Sequence, residues 1–367
     1  MHLEGFRDPE LVERIVARIS HLANRLGESG ERTAIMEVCG THTMAIGRYG
    51  LRSLLPKSLR LLSGPGCPVC VTPRKEIDRA IEIGRRYGAI LASFGDMFRV
   101  PGSDGSLEEA RASGVEARIV YSPLDAVTAA KAQPNREVVF LGVGFETTSP
   151  VIAASLKTAR DLGIRNVSVL PMMKTVPPAL EAILSGGRAE IGGFLLPGHV
   201  CAITGTRPYE FIPERFGVPC VVAGFEPVDI LQAILMLLQQ RVDHRTEVEI
   251  AYRRVVSADG NPVARNLVDE VFTVCDSEWR AIGTIPGSGL TVISAYKDYD
   301  AREKFPVTIS ETKEPGGCIC GKILMGRAVP AECSLFGVAC TPERPVGPCM
   351  VSSEGTCAAD YKYGINE

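Results

Sequence analysis

Apolar and polar positions along this chain follow a pattern whose period changes from region to region. Near the start, Leu11, Ile15, Ile19, Leu22 and Leu26 recur at helical spacing, with Asp8 as the cap, Pro9 at the first helical position and Gly27 as the stop. This predicts one amphipathic packing helix within residues 1–29. From about 30 to 240 the pattern becomes a short apolar strand, a Gly/Pro-rich loop and then a helix, several times over. Strands are predicted at 33–38, 59–62, 89–94, 117–121, 138–143, 167–171, 191–196 and 218–223, and helices at 75–87, 149–162, 178–185 and 227–240. Such alternation implies βαβ units around mostly parallel sheets. After about residue 250, strand-like pieces at 247–256 and 267–275 lead into a loop-rich tail with little helical period.

The pattern also repeats. VVFLGVGFETTSPVIAASL (138–156) resembles VPCVVAGFEPVDILQAIL (218–235) in its strand, its Gly-Phe-Glu turn and its following helix. Each is preceded by a second strand and loop, one around Asp96 and one around His199. The fold class expected is α/β: two similar α/β domains with mostly parallel sheets facing a central cleft, at 30–145 and 146–245, and a loop-rich C-terminal domain at 246–367. Ligands of open α/β sheets sit beyond the carboxyl ends of the strands. The loops at 39–42, 64–70, 95–96, 144–148 and 197–199 all follow strands at that edge, so they are expected to line the cleft.

Composition narrows the function. At 367 residues the chain is too long for one ordinary core, and 45% apolar with 23% charged residues is a globular balance. A net charge of −3 argues against nucleic acid as the main partner. The first twenty residues lack the apolar run of an export signal, and the apolar stretch 230–238 is too short to span a membrane, so a cytoplasmic setting is expected. Twelve cysteines then call for ligand or redox chemistry, since disulfide frameworks belong to small exported domains.

Three constellations carry that chemistry. Cys318, Cys320, Cys333, Cys340, Cys349 and Cys357 crowd the tail among glycines and prolines, whose tight turns let thiolates converge as zinc and iron–sulfur sites require. The absence of paired C-x-x-C knuckles and the surplus over four ligands favour a cluster, with zinc the competitor. Cys67-Pro68-Val69-Cys70 lies at a strand–helix junction, where the helix start is expected to raise the thiolate fraction. Cys39 and His42, three residues apart just past a strand, suit a nucleophile and base or a pair of ligands for a late transition metal.

The motifs EVCGTHT, GPGCPVCVTP, SFGDMFRVPG, GFETT and PGHV resemble, together with the tail GGCICG…PAECSLFG…GPCMVSSEGTCAAD, the HypD family of hydrogenase maturation factors over essentially the whole chain. Asp360 stands where a small or aromatic residue is expected, which puts nothing in doubt. The resemblance implies a redox-active scaffold, rather than a conventional turnover enzyme, on which the Fe(CN)2CO group of nickel–iron hydrogenases is assembled. The implied partners are a HypC-type chaperone, HypE carrying thiocyanate and, indirectly, a hydrogenase large subunit. Iron would be held on Cys39 beside the dithiol Cys67/Cys70, with His42 within reach. Family spacing of 14, 6 and 16 residues selects Cys318, Cys333, Cys340 and Cys357 as ligands of a 4Fe-4S cluster and leaves Cys320 and Cys349 as a second dithiol.

Asp96, Glu146 and His199 are candidates for handling protons or bonding cyanide nitrogens, although residues of these types after strands also cap helices and fix loops. Cys201, Cys220 and Cys275 lie in apolar contexts that suit packing. Two competing readings are a plain iron–sulfur thiol reductase and a zinc-stabilised binding module.

Overall fold

The computed structural model describes residues 4–27, 33–187, 191–310, 312 and 314–364. Its frame is two parallel sheets and one antiparallel hairpin. The first sheet has the order β2-β1-β7-β8-β9, from β1 (Thr33–Glu37), β2 (Leu59–Ser63), β7 (Gly193–Pro197), β8 (Cys220–Ala223) and β9 (Val248–Ile250). The second has the order β4-β3-β5-β6, from β3 (Ile90–Ser93), β4 (Ala117–Ile119), β5 (Val138–Gly142) and β6 (Val167–Pro171). These strands read as near-continuous apolar runs because both faces of each sheet are covered, and β3, β5, β6, β7 and β8 are buried at every position. The expected α/β class and all eight expected strands are present, with ends shifted by up to two residues.

Sheet membership does not follow chain order. The chain builds β1 and β2, crosses to form β3–β6, then returns for β7–β9. The expected boundary at residue 145 therefore falls between β5 and β6, which pair in register from Val138↔Val167 to Gly142↔Pro171. The boundary at 245 likewise precedes β9, which pairs with β8 at Cys220↔Val248. Both crossings matter for the site: the outgoing one carries Cys67 and Cys70, and the returning one carries Lys174 and the helix Val176–Ser185.

The N-terminal helix, Pro9–Gly27, forms as its pattern implies, and the Asp8 carboxylate accepts from the backbone N–H of Glu10 at 2.9 Å. Its Ile15, Ile19 and Leu22 pack against Ile230, Ile234, Leu237 and Leu238 of the helix Pro227–Val242, which also covers the first sheet. That second helix is apolar almost all round because it is sandwiched in this way. One expected strand is half helix. Residues 262–271 are helical (Pro262–Val271), and the strand starts only at Phe272. Here Asn261 caps the first turn by accepting from the Ala264 N–H, and Pro262 sits at the first position, so capping outweighs the β-branched composition. The piece at 247–256 is a strand only over Val248–Ile250. The hairpin β10 (Phe272–Trp279) and β11 (Gly283–Val292) packs on the second sheet through Phe272 and Leu290.

Candidate functional site

Residues at the carboxyl edges of both sheets, the hairpin tip and the tail share one buried cluster that includes Val38, Cys67, Cys70, Phe145, Val176, Leu196, Trp279, Cys320 and Cys349. Cys39 follows β1 as the residue that starts the helix Gly40–Arg48, in extended backbone at φ −150°. The Gly64–Gly66 turn is pressed against it: the Gly40 N–H donates to the Gly66 carbonyl at 3.0 Å, and a Cβ on Gly66 would lie 2.4 Å from the Cys39 nitrogen. Only glycine permits that approach, so the CPVC segment is held against Cys39 by backbone contact. Burial pushes the Cys39 thiol up to about 12, helped by the Glu354 carboxylate nearby.

Beneath Cys39 lies a carboxylate that the sequence did not single out. Glu37 is fully buried, accepts from Thr43 Oγ1 at 2.5 Å and from the Cys39 N–H at 3.3 Å, and is pushed up to about 7 by burial. Glu354, from the tail, was also missed: its Oε1 accepts from Thr41 Oγ1 at 2.7 Å, and its backbone packs where a Gly40 side chain would be. Both sit inside quoted motifs, but nothing in their spacing distinguishes them from structural glutamates.

His42 is fully buried, and its Nε2 donates to the Gly224 carbonyl at 2.9 Å, which leaves Nδ1 bare and without a hydrogen-bond partner. Burial pulls its pKa down to about 4. Phe225 stacks on the His42 ring at 4.6 Å between centroids and on the His199 ring at 3.8 Å, so the two imidazoles flank one aromatic plate. His199 itself is exposed, and partial burial lowers its pKa.

Glu146 and Asp96 differ from these. Glu146 accepts from the Val176 N–H at 2.8 Å, capping the returning helix, and its Oε2 is buried without a partner; burial raises its pKa to about 7. Asp96 sits in the short 3-10 turn Gly95–Arg99 after β3, half-buried, with no hydrogen bond or ion pair among the described residues. The structure does not tie it to the Cys39 loop. Cys201 and Cys220 are fully buried, whereas Cys275 is half-buried on β10.

The thiols form a connected run. Cys67 starts the four-residue helix Pro68–Val71, and its sulfur accepts from the Cys70 N–H at 3.3 Å. The expected rise in thiolate character fails for Cys70. Its thiol is fully buried, and desolvation raises its pKa well above the usual value, outweighing so short a helix. The Cys70 sulfur reaches the carbonyl of Pro348, the residue before Cys349, at 3.8 Å, and the Cys349 thiol interacts electrostatically with Cys70 on one side and Cys320 on the other. Cys320 Sγ is 3.2 Å from Cys318 Sγ and also interacts with the Cys357 thiol.

Beyond them, Cys318, Cys320, Cys333, Cys340 and Cys357 line one small cavity with Ile323, Leu335, Phe336 and Met350. Its wall is close-fitting, since a Cβ on Gly347 would lie 2.6 Å from Cys320 Sγ and 2.8 Å from Cys318 Sγ. An apolar chamber ringed by thiols is the donor set that an iron–sulfur cluster takes. Cys349 is fully buried and stands outside that lining, between the chamber and Cys70. Among the described residues, no three side chains of His, Cys, Asp or Glu are grouped tightly enough to hold a single metal ion.

Comparison with known proteins places this architecture. A family model named HypD, described as the hydrogenase formation hypA family, matches residues 10–364. The chain is 46% identical over 365 residues to a hydrogenase maturation factor HypD of Rhodobacter capsulatus, covering 98% of this chain and 97% of that one. Similar proteins of the same name from Cupriavidus necator and Escherichia coli are 45% and 43% identical, covering 99% and 100% of this chain and 97% and 98% of theirs. Among the described residues, no helix is long and apolar enough to cross a membrane.

Proposed function

The chain belongs to the HypD family of hydrogenase maturation factors, and from that premise we propose that it is the platform on which the Fe(CN)2CO group of nickel–iron hydrogenases is put together in the cytoplasm. The iron is cargo, held by the Cys39 thiolate jointly with a cysteine of a HypC-type chaperone. HypE carrying thiocyanate brings the cyanide, and a hydrogenase large subunit is the eventual recipient. The observation that carries this reading is that the tail chamber, Cys320, Cys349, Cys70 and Cys67 share one buried cluster, with Cys70 Sγ at 3.8 Å from the Pro348 carbonyl next to Cys349, ending where Gly66 touches Cys39.

Releasing cyanide from a thiocyanate while restoring the thiol takes two electrons and one proton. Cys67 and Cys70 can release two electrons and two protons on closing to a disulfide, and Cys320 and Cys349 form the relay behind them. A 4Fe-4S cluster held by Cys318, Cys333, Cys340 and Cys357 supplies electrons one at a time when bound. The buried Cys39 thiol, at about 12, carries little thiolate alone, so a cation must accompany its ionisation. Iron binding meets that requirement, and His42 offers a bare Nδ1 nearby. A plain thiol reductase has no use for Cys39 in this position.

The test is the infrared spectrum of the complex with its HypC-type partner, isolated without oxygen. Cys39→Ala is expected to abolish the cyanide and carbonyl bands; their persistence would move the iron elsewhere. Because Cys320 lines the same chamber as the four ligands, Cys320→Ser is the sharpest check on the division of the tail. It is expected to spare the visible chromophore yet impair maturation, and loss of the chromophore would make Cys320 a ligand. A colourless, zinc-loaded protein would sink the redox reading altogether.

A further inference from the structure

Away from the thiol run, the end of β6, the β10–β11 hairpin and the start of the helix Arg74–Tyr87 enclose a cavity of about 270 Å³. It lies beyond the carboxyl end of a strand, where open α/β sheets place their ligands. Lys174, on the returning crossing, lines this cavity and is only 3% exposed. Its backbone is fixed there: the N–H donates to the Gly144 carbonyl at 3.0 Å, and the residue bridges to Gly289 of β11.

A lysine is almost never fully buried unless it is paired. The Lys174 ammonium donates to Ser277 Oγ at 2.5 Å, and it makes no ion pair among the described residues. A hydroxyl satisfies one of its three donors and none of its charge. The carboxylates of the wall are engaged elsewhere. Glu76 is held by Arg79 and by Arg302 at 3.1 Å, and Glu278 by Lys75. Asp276, at the exposed rim, accepts from the Gly287 N–H at 3.0 Å. Glu76 and Glu278 act on Lys174 only from beyond ion-pair distance, and desolvation outweighs them, drawing its pKa down to about 8. The wall thus carries four cations against three carboxylates, and the surplus cation is the most deeply buried of the four.

Burying a charge without a counter-ion is costly, and a cavity beside that charge gives a counter-ion room. The rest of the wall says what kind. Pro73, Pro171, Met173 and Leu290 line it with apolar surface, so one surplus positive charge faces a partly greasy chamber. That combination suits a singly charged anion with a carbon chain better than a polyvalent oxoanion. We propose that the cavity is a binding site for a short-chain monocarboxylate, with its carboxylate on the Lys174 ammonium and its chain against Met173 and Leu290.

Cys275 lines the same cavity and is half-buried, so its reaction with a neutral alkylating agent reports occupancy. The experiment follows iodoacetamide labelling of Cys275 in the full chain by peptide mass spectrometry, without oxygen. Sodium butyrate is the probe, with sodium phosphate and sodium chloride compared at equal ionic strength. At about ten times the half-protecting butyrate concentration, labelling of the wild type is expected to slow about tenfold by mass action. Phosphate and chloride are expected to leave the rate unchanged. Lys174→Met is expected to lose the butyrate effect while melting in chloride no lower than the wild type, since it removes an unpaired buried charge. Absence of butyrate protection in the wild type would overturn the proposal, and so would equal protection by phosphate. Those two results need no variant, so they decide the matter even if Lys174→Met does not fold. Butyrate protection that persists in a folded Lys174→Met, or a lower melting temperature of that variant in chloride, would overturn the role given to the ammonium.

Discussion

The two Gly-Phe-Glu turns sit at the same place in two sheets, each joining a strand to its following helix, and they do opposite things. After β5, Phe145 is buried against Trp279 and Glu146 turns inward to cap the returning helix. After β8, Phe225 is only half-buried and lies between two imidazoles, while Glu226 turns outward and pairs with Arg7 at the N-terminus. One turn builds core, and the other presents chemistry. The difference comes from what each turn faces. The first meets the hairpin tip, whereas the second meets the loop of Cys39 and His42, delivered by β1, and the loop of His199, delivered by β7. A short motif therefore fixes a local shape, and its neighbours decide the role.

The sharpest way to break the comparison is to truncate both rings. Phe145→Ala is expected to cost about 3–5 kcal/mol, the usual penalty for emptying a buried aromatic site, and Phe225→Ala about half of that. Denaturant unfolding of both variants checks this, and equal losses would mean that both turns are core elements. Near-ultraviolet circular dichroism should report the loss of the Trp279 stack in the first variant alone.

The next largest effects are opposite pH dependences in the metal-free protein. Glu146 has a folded pKa of about 7 against an ordinary 4.5, so its protonated form is favoured and acidification from about 7 to 4.5 stabilises the fold. His42 has a folded pKa of about 4 against 6.5, so the unfolded chain takes up a proton that the folded chain refuses, and stability is lost between about 6.5 and 4. Glu146→Gln is then expected to make the protein more sensitive to acid, and His42→Gln less so, each on the order of 2 kcal/mol. Glu37, also at about 7, contributes a slope of the same sign as Glu146 and will persist in both variants. Stability curves at pH 7.5 and pH 5 decide the matter, and parallel slopes in the two variants would remove the contrast.

The smallest effect concerns Glu226, whose pKa the Arg7 guanidinium lowers. That contribution is present above the ordinary value of 4.5 and fades as the pH falls below it. Because the pair is solvent-screened, Glu226→Gln should change the melting temperature by little at neutral pH and by less with added salt. A large, salt-insensitive loss would show that this turn is structural after all.

The sequence by itself determined the strand and helix periods, the capped N-terminal helix, the repeated turn and the grouping of cysteines into an inner pair, a tail set and Cys39. These depend on local patterning and turn chemistry, which neighbouring residues encode directly. Only the tertiary structure decided that the first sheet is interrupted by the second, because strand order is set by long-range packing and leaves no periodic mark. The same holds for Glu37 and Glu354 meeting the Cys39 loop and for the hairpin tip meeting Val71 and Gly321, contacts that depend on burial between segments far apart in the chain. Even the acidity of Cys70 reversed for this reason: the helix start that suggested a thiolate is local, but the desolvation that opposes it comes from the whole fold.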